Sequence, residues 1–200
     1  MRVGCILLAA GQGKRFGGNK LEAFCNGERL IGHALRIHSA ADYDIRVLVT
    51  GPCGVEGAES AKETFDAVAV NPEPERGIAS SVRTGIERLC LEAVRRGILL
   101  DGVLFGVCDQ PGLTGETVDR ILETFERCPD RIIVPVGEDG RYGNPVLFPV
   151  RFLKELSELE GDRGGGVVIK RHPDCLETVR TADNELMDID TKEDIPLLER

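Results

Sequence analysis

Short aliphatic runs alternate with helical patterns through the first two-thirds of the chain, and this alternation limits the fold more than any other feature. Arg2–Ala9, Asp44–Thr50, Ala67–Val70, Gly102–Val107 and Arg131–Val136 read as strands, each a compact apolar run. Between them, Arg29–Ala41 carries apolar residues at Leu30, Ile31, Ala34, Leu35 and Ile37, a helical spacing. Val55–Thr64 is a second candidate helix. Ile78–Arg96 is the longest, with Val82, Ile86, Leu89 and Val94 expected on one side. Thr114 is placed to cap a helix running to about Arg127. Such a βαβ series predicts an α/β fold: one doubly wound, mainly parallel, Rossmann-like sheet with helices on both faces. The remainder reads as a strand at Asn144–Phe148, helices at Arg151–Leu159 and Gly164–Arg171, short strands at Leu176–Val179 and Leu186–Ile189, and a closing helix at Thr191–Leu198. No repeat or linker interrupts the 200 residues, so a single domain is expected.

Composition narrows the function. Hydrophobic residues make up 42% and aromatics only 4%, with no Trp, as expected of an aliphatic core around a parallel sheet. The formal net charge of -9 argues against a nucleic-acid binder, which needs a basic face. A local cluster of cations or a divalent ion still leaves room for an anionic small substrate. The seven cysteines are odd in number and contain no C-x-x-C pair, which argues against a disulfide framework or structural zinc. Buried thiols are the expected state of those in apolar runs, such as Cys5 and Cys108. No stretch has the length of a membrane span or the pattern of a signal peptide, so a cytoplasmic location is expected.

In open parallel sheets, ligands bind beyond the carboxyl ends of the strands. Two such exits carry chemistry. The first strand runs into Leu8-Ala9-Ala10-Gly11-Gln12-Gly13-Lys14-Arg15-Phe16-Gly17-Gly18-Asn19-Lys20, with four glycines and three basic residues. Small residues let backbone N–H groups approach anionic oxygens, and Lys14, Arg15 and Lys20 add charge. The spacing is not that of a Walker A loop. Nor is it the dinucleotide fingerprint, because Phe16 stands where the third glycine would be. A plain solvent-exposed Gly/Lys turn is the alternative. The second exit is Cys108-Asp109-Gln110-Pro111, after the most apolar strand. It places a hard carboxylate oxygen donor, suited to Mg²⁺, at the expected cleft.

Two further segments are candidates. In Asp188-Ile189-Asp190-Thr191, extended geometry would put both carboxylates on one face, although Asp190 could instead cap the last helix. Ser80 and Ser81, in Gly77-Ile78-Ala79-Ser80-Ser81 after Asn71-Pro72, stand where they could cap the long helix or offer hydroxyls to a ligand. His33, His38 and His172 form no ligand cluster by spacing, and structural roles are expected of them.

These strings together resemble the nucleotidyltransferases that act on the molybdenum cofactor. That family's patterns are Leu-Ala-Ala-Gly, a spacer, Arg-Phe/Met-Gly and a Lys; Asn-Pro, a spacer and Gly-Met/Ile-x-Ser-Ser-x-x-x-Gly; Asp-Gln-Pro; Gly-His-Pro-Val-Leu-Phe; Gly-Asp-x-Gly-Ala-Arg; and Asp-Ile-Asp-Thr. The similarity covers nearly the whole chain and is greatest to the cytidylyltransferase branch. Ala10, where the guanylyl branch carries a second glycine, leans toward cytosine.

The resemblance implies Mg²⁺-dependent transfer of a cytidylyl group from CTP to the terminal phosphate of molybdopterin or its molybdenum form, with possible delivery to a recipient molybdoenzyme. A nucleotide-binding half would span about 1–110 and an acceptor-binding half about 111–200. It places Leu8, Ala9, Ala10, Gly11, Gln12, Gly13, Lys20, Asn71, Gly77, Ser80 and Ser81 at the nucleotide. Arg15, Lys20 and Asp109 would carry catalysis, and Asp109 and Asp190 would hold the metal. Gly143, Asn144, Pro145 and Asp162 would face the acceptor, although Asp162 could instead cap a helix.

The chain departs from the pattern at Asn144, where His is usual, and at Gly165 and Gly166, where Ala and Arg are usual. Both departures bear on the acceptor. Three other readings stay open: another base or phosphorylated acceptor, a nicotinamide oxidoreductase on the same layered sheet, and a non-catalytic molybdenum-cofactor delivery or maturation factor.

Overall fold

A computed structural model describes residues 1–11, 13 and 15–198, the last of these by its backbone only. Strands β1 (Val3–Ala9), β4 (Ile45–Thr50), β5 (Ala67–Val70), β6 (Gly102–Val107), β7 (Ile132–Val136), β8 (Val146–Pro149) and β9 (Leu176–Arg180) form one seven-stranded sheet in the order β5-β4-β1-β6-β8-β7-β9. β1 pairs in parallel with both β4 and β6, and β4 in parallel with β5. β8 is the exception, antiparallel to both β6 and β7. The link from β7 to β8 turns at Gly137–Gly140 and holds no crossover helix, so the chain returns antiparallel.

The helices are α1 (Leu30–Ala40), α2 (Ala61–Thr64), α3 (Ile78–Arg96), α4 (Gly115–Arg127), α5 (Leu153–Ser157), α6 (Gly166–Arg171) and α7 (Ile195–Leu198). Successive side chains of a strand leave opposite faces of the sheet. Ile6, Val47, Val49 and Phe105 therefore join Val82, Ile86 and Leu89 of α3, Leu156 of α5 and Val168 of α6 on one face. Leu7 and Leu48 meet Ala34 and Leu35 of α1 on the other, where Leu104 meets Val118, Ile121 and Phe125 of α4. The α3 layer lies close: a Cβ on Gly85 would come within 2.5 Å of Ile6.

Four expectations are corrected. The helix expected over Val55–Thr64 is a single turn at Ala61–Thr64, because Gly57 at φ 94° breaks its first half. Val94 is 79% exposed, and Ala93 takes its place against the core. Leu186–Ile189 is not a strand; the 3-10 turn Asp183–Leu186 leads into extended chain bound to its neighbour by Ile189 N–H to Asp109 O at 2.9 Å. Arg151–Leu159 is a 3-10 turn followed by the short α5.

One element was not expected at all. β2 (Phe24–Cys25) and β3 (Glu28–Arg29) form a hairpin whose turn residues, Asn26 and Gly27, have φ of 52° and 79°. Positive φ at both is what a two-residue type I′ turn requires. Cys5, Cys25 and Cys108 are buried, whereas Cys53 and Cys90 are exposed. Among the described residues no helix is long and apolar enough to cross a membrane.

Candidate active site

β1 connects outward to β4 and β5 on one side and has β6 on the other, so the switch in strand order falls between β1 and β6. The crevice there opens at the carboxyl ends of both strands, the position that this topology favours for ligands. It is a cavity of about 420 Å³, within the usual range for small-molecule sites. β1 contributes Leu8, and the loop after it Ala10, Gly11, Gly13, Arg15 and Lys20. β6 delivers Asp109, and the α3 segment Gly77, Ile78 and Ser81. Asp162 and Asp190 close it from the later part of the chain.

The loop's shape depends on Gly13. Its φ is 56°, and a Cβ there would collide with the Gly18 carbonyl. Its own carbonyl accepts from Phe16 and Gly17 at 2.9 and 3.2 Å, which folds the loop back on itself. Gln12 and Lys14 lie outside the described residues.

Lys20 is the electrostatic hub. Its ammonium lies 2.6 Å from Asp109 Oδ2 and 3.3 Å from Asp190 Oδ1. Arg15 reaches Asp190 Oδ2 at 2.9 Å from a more exposed position. Burial works against the charge on Lys20, but the two carboxylates outweigh it and raise its pKa. The ammonium therefore stays charged at any physiological pH. Asp109 Oδ1 is buried and has no hydrogen-bond partner among the described residues. Such a carboxylate oxygen can accept a bond from water, an ion or a ligand.

The acidic segment is pinned from several sides. Ile189 is fully buried beside Cys25 of the hairpin and Leu30 of α1. Gln110 Nε2 donates to Leu186 O at 3.4 Å. Glu185 Oε2 accepts from both the backbone N–H and the hydroxyl of Thr114, at 3.0 and 2.8 Å. A Cβ on Gly112 would strike the Asn184 carbonyl, so the loop after Asp109 and the segment before Asp188 lie backbone against backbone. The alternation of Asp188, Ile189 and Asp190 survives without a strand, because the Ile189 side chain and N–H fix the phase.

Asp188 is solvent-exposed and does not line the crevice. Partial loss of surrounding water and the charge of Asp109 still push its pKa up to about 6. Capping of the last helix falls to Thr191, whose hydroxyl and N–H both bond Asp194, so Asp190 is left for the crevice.

Some candidates act indirectly. Asn71 is buried and spends its amide on Ser80 Oγ at 2.8 Å and Ser81 Oγ at 3.0 Å, so it orients the start of α3. Ser80 bonds back to Gly77 O at 2.7 Å, a local role, while Ser81 faces the crevice. Ala9 is buried in the core behind α1. Gly143 packs under Leu186, and Asn144, joined to Pro145 by a cis peptide bond, faces a side alcove. Asp162 makes no capping bond; α6 begins after Gly165 without a side-chain cap.

Arg83 escaped the motif reading. Its guanidinium donates to Ser157 O at 3.0 Å and Leu159 O at 3.2 Å, which ties α3 to the loop that carries Asp162. Ala79 N–H to Gly161 O at 3.1 Å adds a second tie. The histidines have structural partners: His33 lies 2.9 Å from Leu113 O, His172 2.8 Å from Glu155, and the buried His38 3.1 Å from the Tyr43 hydroxyl.

Hard oxygen donors at Asp109 and Asp190 fit a magnesium ion. Among the described residues no three His, Cys, Asp or Glu side chains stand close enough to cage a metal.

The chain is 26% identical to the purine catabolism protein PucB of Bacillus subtilis (strain 168), across 98% of this chain and 95% of that one. Among solved structures, Rv0371c of Mycobacterium tuberculosis H37Rv superposes with a TM-score of 0.78 at 25% identity, covering 99% of this chain and 98% of that one. A nucleotidyl transferase from Methanothermobacter has the same fold, with a TM-score of 0.74 at 21% identity, covering 99% and 96%. Residues 5–176 match the model of the MobA-like NTP transferase domain, and the chain belongs to that family.

Proposed function

We propose that the protein transfers a cytidylyl group from CTP to the terminal phosphate of molybdopterin or its molybdenum form, with release of pyrophosphate and dependence on Mg²⁺. Nucleotidyl transfer as a reaction class follows from the family. The observation that carries the rest is the convergence of Asp109, with its uncommitted oxygen, and Asp190 on the Lys20 ammonium at the mouth of the glycine loop. Ala10 and the strings Asp109-Gln110-Pro111 and Asp188-Ile189-Asp190-Thr191 support the cytidine and molybdopterin assignments.

The loop backbone at Gly11 and Gly13 and the cations of Arg15 and Lys20 hold the triphosphate and stabilise the pyrophosphate as it leaves. Gly77 and Ser81 border the nucleoside. Asp109 and Asp190 would hold the magnesium ion, which supplies Lewis-acid polarisation of the α-phosphate and screens the gathered charge. The attacking phosphate oxygen is already ionised at neutral pH, so no side chain need act as general base. Catalysis then consists of positioning and charge compensation.

Four NTPs offered with Mg²⁺ and molybdopterin, scored for pyrophosphate, test this directly. CTP should be preferred, and Asp109→Asn should lower turnover by about a hundredfold or more. No pyrophosphate from any NTP, or unchanged turnover in Asp109→Asn, would refute it.

A further inference from the structure

The backbone that carries Lys20 is fixed by contacts outside the crevice. Lys20 opens a single 3-10 turn, Lys20–Glu22, capped by Asn19, whose side-chain oxygen accepts from Leu21 N–H at 3.3 Å. Leu21 anchors the turn in the core shared by Leu7, Ile31 and Leu35. The spacing Asn19-x-x-Glu22 is that of a capping box, but here the carboxylate reaches further. Its Oε1 accepts from the Asn19 side-chain amide at 2.8 Å and from the Glu56 backbone N–H at 3.1 Å. One oxygen thus ties the Lys20 turn to loop 51–60, which follows β4.

Arg29 of β3 closes the circuit. Its guanidinium donates to Glu22 O at 3.2 Å and pairs with Glu56 Oε1 at 2.6 Å. Gly57 makes room for it: a Cβ there would come within 3.0 Å of Arg29 Cδ. On its other side the turn abuts the glycine loop, where a Cβ on Gly13 would stand 3.1 Å from Lys20 N. Glu22 itself stands outside the crevice, so anything it does to a ligand passes through its neighbours. A lysine has a flexible four-carbon stem. Its ammonium sits reliably between two carboxylates only if its Cα is held.

We propose that Glu22 is a positioning residue for nucleotidyl transfer: it locks the Lys20 turn against loop 51–60, so that the ammonium is already seated when a polyphosphate arrives. Such preorganisation spares the ligand the cost of ordering the site. The role in transfer rests on the function proposed above; the lock on Lys20 stands on its bonds alone.

Acetylation of Lys20 by acetic anhydride, read by mass spectrometry against the exposed Lys154, reports how firmly the ammonium is seated. Lys20 should label slowly in the parent chain. Glu22→Ala should speed its labelling by about tenfold or more, the weight of one bond to a charged acceptor, and should weaken binding of inorganic tripolyphosphate by a similar factor. Glu22→Gln keeps an oxygen that accepts from both N–H groups, so it should return both readings to the parent values. Glu56→Ala removes the ion pair to Arg29 but keeps the N–H that Glu22 accepts, and should label like the parent. Unchanged labelling in Glu22→Ala, equal labelling of Glu22→Ala with either Glu22→Gln or Glu56→Ala, or faster labelling with undiminished tripolyphosphate binding would each overturn the proposal. If the parent binds no tripolyphosphate while labelling follows the expected order, the transferase function fails and the lock on Lys20 holds.

Discussion

Replacing Gly77 with alanine tests whether the nucleotide side and the acceptor side of the crevice are mechanically joined. Gly77 has φ 90° and ψ 175°, a region that only glycine occupies readily. Forcing an L-residue there costs about 1–3 kcal/mol. A Cβ would also run into the carbonyl carbon and oxygen of Gly161 and come within 2.6 Å of Asp162 Oδ1. Gly161 must therefore move away, and the bond from Ala79 N–H to Gly161 O is lost, for about 1 kcal/mol more. The sum is about 3 kcal/mol. Gly97→Ala is the control: it too has positive φ, 63°, but its Cβ meets nothing within 4 Å. Its cost should be only about 1 kcal/mol of backbone strain.

Urea denaturation of the two variants should thus differ by about 2 kcal/mol, close to the combined contribution of the lost contact and its hydrogen bond. Gly77→Ala should also weaken nucleotide binding by about tenfold, since Gly77, Ile78 and Ser81 border the same cavity, while Gly97→Ala leaves it unchanged. Equal destabilisation by the two substitutions would show that the Gly77–Gly161 contact carries no energy, and the coupling argument would fall.

Three further outcomes follow from the electrostatics. Burial and, secondarily, the nearby His33 lower the pKa of His38 to about 4, from 6.5. A depressed histidine stabilises the fold above pH 6.5, and that contribution fades as the pH falls toward 4, because only the unfolded chain then gains the proton. About 3 kcal/mol should be lost over this window, and His38→Gln should flatten that part of the stability–pH curve; an unchanged slope would count against it. Glu185 is buried, which opposes its charge, but bonds from Thr114, Thr117 and Thr181 prevail and lower its pKa. Glu185→Ala should cost about 2 kcal/mol at pH 7, with the difference shrinking below the ordinary glutamate range as the parent protonates; hydrogen exchange confined to other segments would contradict its anchoring role. Lys20→Met should cost about 2 kcal/mol without metal, discounted for partial exposure, and less at millimolar Mg²⁺, where a divalent ion replaces the missing charge; a loss indifferent to Mg²⁺ would argue against Asp109 and Asp190 as its ligands.

The parts legible in the sequence were those fixed locally. Ile78–Arg96 and Gly102–Val107 have the bounds expected of them, because Gly77 and Gly97 punctuate the helix and the strand is apolar throughout. Asp109 was legible because strand exits in this topology face the crevice. The hairpin at Phe24–Arg29 could have been read from Asn26-Gly27, a strong two-residue turn signal. The roles of Arg83 and Glu185 could not. Each bonds a segment remote in the chain, Arg83 to Ser157 and Leu159, Glu185 to Thr114, and periodicity carries no trace of such pairs. Leu186–Ile189 failed as a strand for a related reason: an apolar run becomes a strand only where a neighbour's edge is free to pair with it, and here Ile189 N–H to Asp109 O is the one backbone–backbone bond between the two segments among the described residues.

That single bond explains how two distant acids come to share one site. The family match ends at residue 176, so Asp190 lies on chain beyond it, in a stretch without regular secondary structure. Such a stretch holds a carboxylate in place only if side chains and backbone on both sides of it are fixed. Ile189 meets that need from below, through its buried side chain, and Glu185 and Thr191 from either end. Lys20 then settles the charge. It binds one oxygen of Asp109, whose other oxygen is buried without a hydrogen-bond partner among the described residues. The ammonium thus lowers the repulsion between the two acids while the crevice is empty, and remains charged and close by when a polyphosphate arrives. A site built with a third carboxylate in place of that lysine would repel a polyphosphate, whereas the ammonium attracts it.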